Sequence, residues 1–261
     1  MEVEKLAADG YIEIMLLGQT VNSYIDREGG HMTFAALLKC MAQIEGIERI
    51  RFTSPHPCDF TEELLDVMQN CPQVCNHIHL PVQSGSTKIL QTMRRGYSRE
   101  NYLEIVQRIK ESTRPISIST DIIVGFPGEE ESDFEETLTL LDAVRYDSAF
   151  SFKYSPRPNT EALKLINTVP EEEKAKRLEI LQQRQKEIQY QINKAYVGRT
   201  LEVLVDNRAR SRVSLTGRTS SNKIVNFDGP QKLIGCFAKV KITGFSPNSL
   251  KGAWIQTKAL E

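Results

Sequence analysis

The rhythm of apolar residues changes near residue 199. Before it, short apolar runs alternate with helical patterns; after it, apolar residues recur at every second position between glycine turns. Candidate strands span 11–17, 48–54, 76–81, 116–125 and 148–155. They are rich in Ile, Val, Leu and Phe, as parallel strands buried on both faces should be. Candidate helices lie between them at 33–44, 61–70, 98–111 and 132–144, opening on the capping residues Thr61, Ser98 and Ser132. Strand–helix alternation of this kind specifies an α/β unit with a parallel sheet, open or closed into a barrel. Residues 2–8 read as the end of a helix that turns through Asp9-Gly10 into the first strand. A crossover helix with no strand before it suggests a chain that starts partway into the fold, the alternative being a native helix that caps the sheet.

A long helix is expected over 171–196. Pro170 precedes it, Glu171, Glu172 and Glu173 complement its positive end, and Leu178, Leu181, Ile188 and Ile192 form one stripe. The period-two runs Leu201-x-Val203-x-Val205, Ile224-Val225-x-Phe227 and Phe237-x-Lys239-Val240-x-Ile242 then indicate a small antiparallel β-barrel. The expected domains are 1–195 and 196–261. Charge divides the same way: from Tyr196 onward there are 11 Lys and Arg against 4 Asp and Glu, a balance of +7, and the remainder carries −8. A basic tail domain on an acidic body suggests a polyanionic partner at the tail. No apolar run approaches the roughly 18 residues of a membrane span. With a polar, acidic N-terminus, that leads to the expectation of a cytoplasmic protein. The five cysteines (Cys40, Cys58, Cys71, Cys75, Cys236) are odd in number and irregularly spaced, so reduced thiols are expected.

Three polar clusters occur where the candidate parallel strands end, the usual place for functional loops. They are Gly18-Gln19-Thr20-Val21-Asn22; His79-Leu80-Pro81-Val82-Gln83-Ser84-Gly85-Ser86 with Arg94-Arg95 beyond; and Ser119-Thr120-Asp121-Ile122-Ile123-Val124-Gly125-Phe126-Pro127-Gly128-Glu129. An Asp inside an apolar strand needs a partner, and arginine is the natural fork for a carboxylate. Cys71-x3-Cys75-x-His77-x-His79 superficially resembles a metal site. Its spacing would require a tight fold-back to converge four ligands, so no metal site is assigned. In the tail, Arg208, Arg210, Arg212, Arg218 and Lys223 place five cations within sixteen residues without an acid, a plausible phosphate-tracking surface.

In their order, these stretches resemble the radical-SAM methylthiotransferases that modify tRNA. The matching segments are LLGQTVNSY (16–24), RIRFTSPHP (49–57), HIHLPVQSGS (77–86), MRRGYSRENY (93–102), STDIIVGFPGE (119–129), FKYSPRPNT (152–160), VPEEEK (169–174) and GRTSSNKIVNF (217–227). The likeness is to the branch acting on isopentenylated adenosine beside the anticodon, with the threonylcarbamoyladenosine branch as the alternative. The resemblance implies a partial TIM-type radical-SAM barrel followed by a TRAM domain, with S-adenosyl-L-methionine across the strand ends. It implies Gln83 and Asp121 as ribose contacts, Arg95 as partner of the cofactor's carboxylate, and Ile123 with Val124 as adenine platform. Gly18, Gln19 and Ser84 would line the same cleft. In the TRAM domain, Arg208, Arg210, Arg212, Arg218 and Lys223 would contact phosphates of a tRNA anticodon stem-loop.

One departure stands against the match. The family carries 4Fe-4S clusters, one of them held by a Cys-x3-Cys-x2-Cys loop, and that spacing is absent here. The chain is therefore expected to be the later part of such an enzyme, with no catalytic residue and no metal ligand of its own. The parent enzyme would need an electron donor. The part alone is expected to be an inactive monomer, the alternatives being a tRNA-binding fragment with an inert barrel or a remnant that binds S-adenosyl-L-methionine without radical chemistry.

Overall fold

The structure is a computed structural model that describes residues 2–26, 30–158, 160–166, 168–208 and 214–256. Two compact units form, Met1–Gln185 and Lys186–Glu261, with the division inside the long helix.

In the first unit, α1 (Glu2–Ala8) leads into β1 (Glu13–Leu16), and a small hairpin of β2 (Ile25–Asp26) and β3 (Met32–Thr33) precedes α2 (Phe34–Met41). Then follow β4 (Arg49–Phe52), α3 (Glu62–Asn70), β5 (His77–His79), α4 (Thr87–Thr92) and α5 (Arg99–Lys110). β6 (Ser117–Val124), α6 (Glu131–Val144), β7 (Ser148–Lys153) and α7 (Glu171–Lys194) complete the series. β1 pairs with β4, and β6 with both β5 and β7, all parallel. A parallel bridge from Ile50 to Val74 joins the two groups. The strands thus run in sequential order, each followed by helix, as in a partial TIM-type barrel.

Alternation along each strand sorts residues to two faces. Ile14, Ile50, Phe52, Ile78, Ile118, Ile122 and Val124 are buried, and Phe52 meets Phe34 of α2 edge-on at 5.3 Å. The opposite face is polar: Glu13, Arg51, His77, His79, Ser119 and Asp121. Arg51 and Glu13 form an ion pair there. Capping fixes helix starts as the sequence suggested at Thr61, whose hydroxyl accepts from Leu64 N, and at Ser98, which forms a reciprocal box with Asn101. α6 is a correction: Ser132 lies inside its first turn, because Asp133 accepts from Glu130 N at 2.9 Å and starts the helix earlier.

In the second unit, β8 (Thr200–Arg208), β9 (Ser214–Arg218), β10 (Ile224–Asp228), β11 (Phe237–Phe245) and β12 (Leu250–Trp254) close in the order β10-β12-β11-β8-β9. Four pairings are antiparallel, and the barrel closes through one parallel pairing, β10 with β12. Val203, Val205, Leu215, Val225, Phe227, Ala238, Val240, Ile242 and Leu250 fill it. Gly217 and Gly252 sit where strands cross closely: a Cβ there would lie 2.3 Å from Leu204 O and 2.4 Å from Val240 Cγ1.

Candidate functional site

A pocket of about 810 Å³ opens where the parallel strands of the first unit end. Gln83, Arg95, Asp121 and Ile123 line it together, joined by Phe126, Phe152, Tyr154 and Arg157. The β6 backbone sets this arrangement. Gln83 N donates to Asp121 O and Ile123 N donates to Gln83 O, both at 2.8 Å, so the loop after β5 is stitched to β6 beside the pocket. Gln83 takes a left-handed backbone (φ 73), a conformation that costs a non-glycine residue about 1 kcal/mol or more. Strain held by two flanking hydrogen bonds is typical of a residue whose position is functionally constrained.

The loop is anchored from below. Thr120 Oγ1 accepts from Val82 N and donates to Leu80 O, while the Tyr97 hydroxyl donates to Val82 O at 3.0 Å with Pro81 O at 3.2 Å. Burial pushes the Tyr97 phenol up to about 12. On the other side, Asn22 grips the His56 backbone through both amide atoms, donating to His56 O (2.9 Å) and accepting from His56 N (2.8 Å). Burial first and the Arg95 charge second hold the His56 imidazole below its ordinary value. Beyond β6, Glu129 Oε1 accepts from Gly125 N (2.8 Å) and from Arg177 of α7 (2.8 Å), fixing the Gly-Phe-Pro-Gly turn that delivers Phe126.

Charge in the pocket is predominantly positive. Lys153 is paired with Glu171, Lys164 with Glu161, and Arg94 lies 3.8 Å from Glu161. Arg95 and Arg157 face the cavity without a carboxylate partner among the described residues. The Asp121 carboxylate and two cations flank an apolar wall of Ile123, Phe126, Phe152 and Tyr154.

The remaining expected contacts lie around this core. Gly18 and Gln19 are exposed in the turn after β1 and do not line the pocket. Ser84 and Val124 are fully buried and do not line the pocket. Phe126, Phe152, Tyr154 and Arg157 escaped the sequence reading as site residues, although FKYSPRPNT carried three of them as a motif. Cys71 Sγ lies 3.5 Å from Gln73 Oε1, Cys75 is buried, and both imidazoles of His77 and His79 contact Ser119.

On the barrel, Arg218 is half-exposed, 3.8 Å from Asp206, and donates to Asn222 Oδ1. Lys223 is buried, its ammonium 5.7 Å from the centre of the Tyr196 ring, and Arg199 lies near the same ring at 5.6 Å. Arg208 ends β8, while Arg210 and Arg212 lie outside the described residues. Lys239 and Lys241 of β11 and Lys251 of β12 add three exposed cations that the sequence reading had not singled out.

Residues 1–141 match the radical SAM superfamily and residues 194–255 the TRAM domain. Coproporphyrinogen III oxidase of Escherichia coli aligns over 90% of this chain and 69% of its own at 12% identity, with a TM-score of 0.45. The tRNA-2-methylthio-N(6)-dimethylallyladenosine synthase of Koribacter versatilis is 52% identical over 255 residues, 96% of this chain and 57% of that protein. The protein of the same name from Solibacter usitatus is 48% identical over the same shares. The chain therefore spans a little over half the length of these relatives. Its match across more than half of its own residues is decisive: the chain belongs to the radical SAM superfamily, and a TRAM domain follows its partial barrel.

Proposed function

We propose that this chain is the cofactor- and RNA-holding part of a tRNA methylthiotransferase acting on isopentenylated adenosine next to the anticodon. The observation that carries the reading is the pocket at the strand ends, with Asp121, Gln83 and Arg95 around an apolar wall. That donor set fits S-adenosyl-L-methionine. A carboxylate and an amide suit a ribose diol, a guanidinium suits the amino-acid carboxylate, and Ile123 with Phe126 suits a flat base. Gly18, Gln19 and Ser84 do not line the pocket and take no part in this reading. The names and 52% identity of the relatives support this substrate class.

Held in this pocket, S-adenosyl-L-methionine would supply one-electron chemistry to an enzyme that also carried a cluster, the route open to an aromatic C–H bond with no usable acidity for a general base. The residues present do not fit the cluster itself. Three convergent thiolates are needed, yet Cys58 is held at Arg95 and Gly96 carbonyls, Cys75 is buried, and no group of three metal-ligating side chains converges among the described residues. Residues 1–261 alone are therefore inactive in this proposal, with no catalytic residue. Cluster ligands and an electron donor come from outside them.

The TRAM barrel would track phosphates of the anticodon stem-loop through Arg208, Arg210, Arg212 and Arg218. Lys223 could join only by leaving the Tyr196 ring. No described helix is long and apolar enough to cross a membrane, and a cytoplasmic monomer accords with the proposal. The test is to incubate the chain, reconstituted with iron and sulfide under a strong reductant, with S-adenosyl-L-methionine and tRNA. The expected result is salt-dependent tRNA binding without cofactor cleavage, and cleavage above the protein-free blank would overturn the inactivity. Preference for tRNA bearing threonylcarbamoyladenosine would move the substrate to the alternative branch. In a second reading the chain binds tRNA through the closed barrel alone and holds no cofactor.

A further inference from the structure

The polar face of the half-barrel carries a hydrogen-bonded chain that the cofactor contacts do not explain. His77 and His79 share that face of β5, and Ser119 and Asp121 share it on β6, with His77 in register with Ser117 and His79 with Ser119. Each imidazole reaches beyond its register partner toward the C-terminal end of β6. His77 Nε2 lies 2.9 Å from Ser119 Oγ, Ser119 Oγ lies 3.0 Å from His79 Nδ1, and His79 Nε2 lies 3.3 Å from Asp121 Oδ2. One direction satisfies every group. His77 Nε2–H donates to Ser119, the Ser119 hydroxyl donates to His79 Nδ1, and His79 Nε2–H donates to the carboxylate, which can only accept. The Phe150 ring stands edge-on to the His79 imidazole at 6.0 Å.

We infer that His79 is the positioning residue for Asp121: through the Ser119–His77 chain it fixes the carboxylate so that Oδ1 is presented to a ribose diol in the pocket. The inference rests on Asp121 being the ribose contact proposed above. Asp121 is the pocket's one acidic residue on the strand face, and its carboxylate is 30% exposed. A carboxylate on a short side chain turns about two torsions, and one oxygen tied to an anchored imidazole removes that freedom before the ligand arrives. Anchoring of this kind parallels the way a carboxylate or carbonyl orients an imidazole from behind, with the roles reversed.

The experiment is an NMR titration of the full chain with S-adenosylhomocysteine and its 2′-deoxyribose analogue, using wild type, His79→Leu, His79→Gln and Asp121→Ala. Wild type should prefer the ribose ligand by about ten-fold, the scale of a hydrogen bond to a charged group. His79→Leu should lose that preference, and His79→Gln, which keeps an N–H where Nε2 stood, should recover most of it. If His79→Leu weakens both ligands equally and keeps the preference, His79 is merely structural and the inference fails. The ¹⁵N signals of the His79 ring provide a readout independent of any ligand. They should report the Nε2–H form and move in both Asp121→Ala and Ser119→Ala. Ring signals indifferent to Asp121 overturn the inference even if the ligand binds. Wild type that binds neither ligand overturns the cofactor reading and the ribose part of the inference with it, while the ring signals still decide whether His79 positions Asp121.

Discussion

Removing Arg177 should unlock the turn that shapes the pocket, with a cost that depends on pH. Its guanidinium is 7% exposed and touches three carboxylates: Glu129 at 2.8 Å, Glu173 at 3.1 Å and Glu131 at 3.2 Å. Glu131 (67% exposed) and Glu173 (32%) can turn to water once the cation is gone. Glu129, only 1% exposed and tied to Gly125 N, cannot. Arg177→Met keeps most of the apolar stem and strands one buried carboxylate, a change that costs about 3–5 kcal/mol. Burial already raises the Glu129 carboxyl above its ordinary value against the lowering pull of the Gly125 amide and Arg177. A carboxyl with a raised folded value contributes stability that is full below its unfolded value and is lost as pH rises through the folded one. Losing Arg177 raises the folded value further, so the variant's deficit should be largest near pH 8 and shrink toward pH 5. Urea unfolding followed by far-ultraviolet circular dichroism measures it. Fluorescence of Trp254, the single tryptophan and part of the barrel, should not shift, because the lesion lies in the other unit. Arg177→Met with Glu129→Gln should recover most of the loss. A single-variant cost below about 1 kcal/mol, or a double variant that is simply additive, would refute the reasoning.

Three further outcomes are expected. Gly252→Ala should destabilise the barrel by about 3 kcal/mol, read from Trp254 fluorescence in urea, since the new methyl meets both Val240 and Lys241 O at 2.7 Å. Tyr97→Phe should cost about 1–2 kcal/mol by leaving two loop carbonyls without their donor. In wild type the phenol titrates near 12, so the stability it lends is present below the ordinary tyrosine value and lost as pH rises through 12. His56, held low by burial and Arg95, favours the fold above its unfolded value and loses that contribution as pH falls through the folded one. Its NMR titration midpoint should rise when S-adenosylhomocysteine brings a carboxylate to Arg95, and an unmoved midpoint would place the carboxylate elsewhere.

Much of the architecture was legible because periodicity is local. The Ile-rich runs with helices between them specify parallel strands, and Val203-x-Val205 specifies a barrel strand whatever the partners are. α4 was missed since six residues after Gly85-Ser86 are too few to show a helical period. β9 and β12 were missed because Gly217 and Gly252 interrupt their apolar alternation, although close crossing of strands requires those glycines. In the site, alternation along Asp121-Ile122-Ile123-Val124 could have separated the pocket-facing Ile123 from the buried Val124. What no local pattern could supply was register. His-x-His and Ser-x-Ser-x-Asp are visible in the sequence, but only the pairing of β5 with β6 shows them joining. Likewise Arg177 lies 48 residues from Glu129, and nothing near either residue announces the other.

In the proposed function, the pocket of residues 1–261 recognises an adenosyl amino acid through Asp121 and Arg95. The most direct test is an NMR titration of the wild-type chain, Asp121→Ala and Arg95→Ala with S-adenosylhomocysteine, which needs no cluster. Binding should be weak but saturable, with shifts at Gln83, Ile123 and Phe126, and at least ten-fold loss in each variant. Binding unchanged in both variants, or no saturable shifts in the wild type, would contradict it.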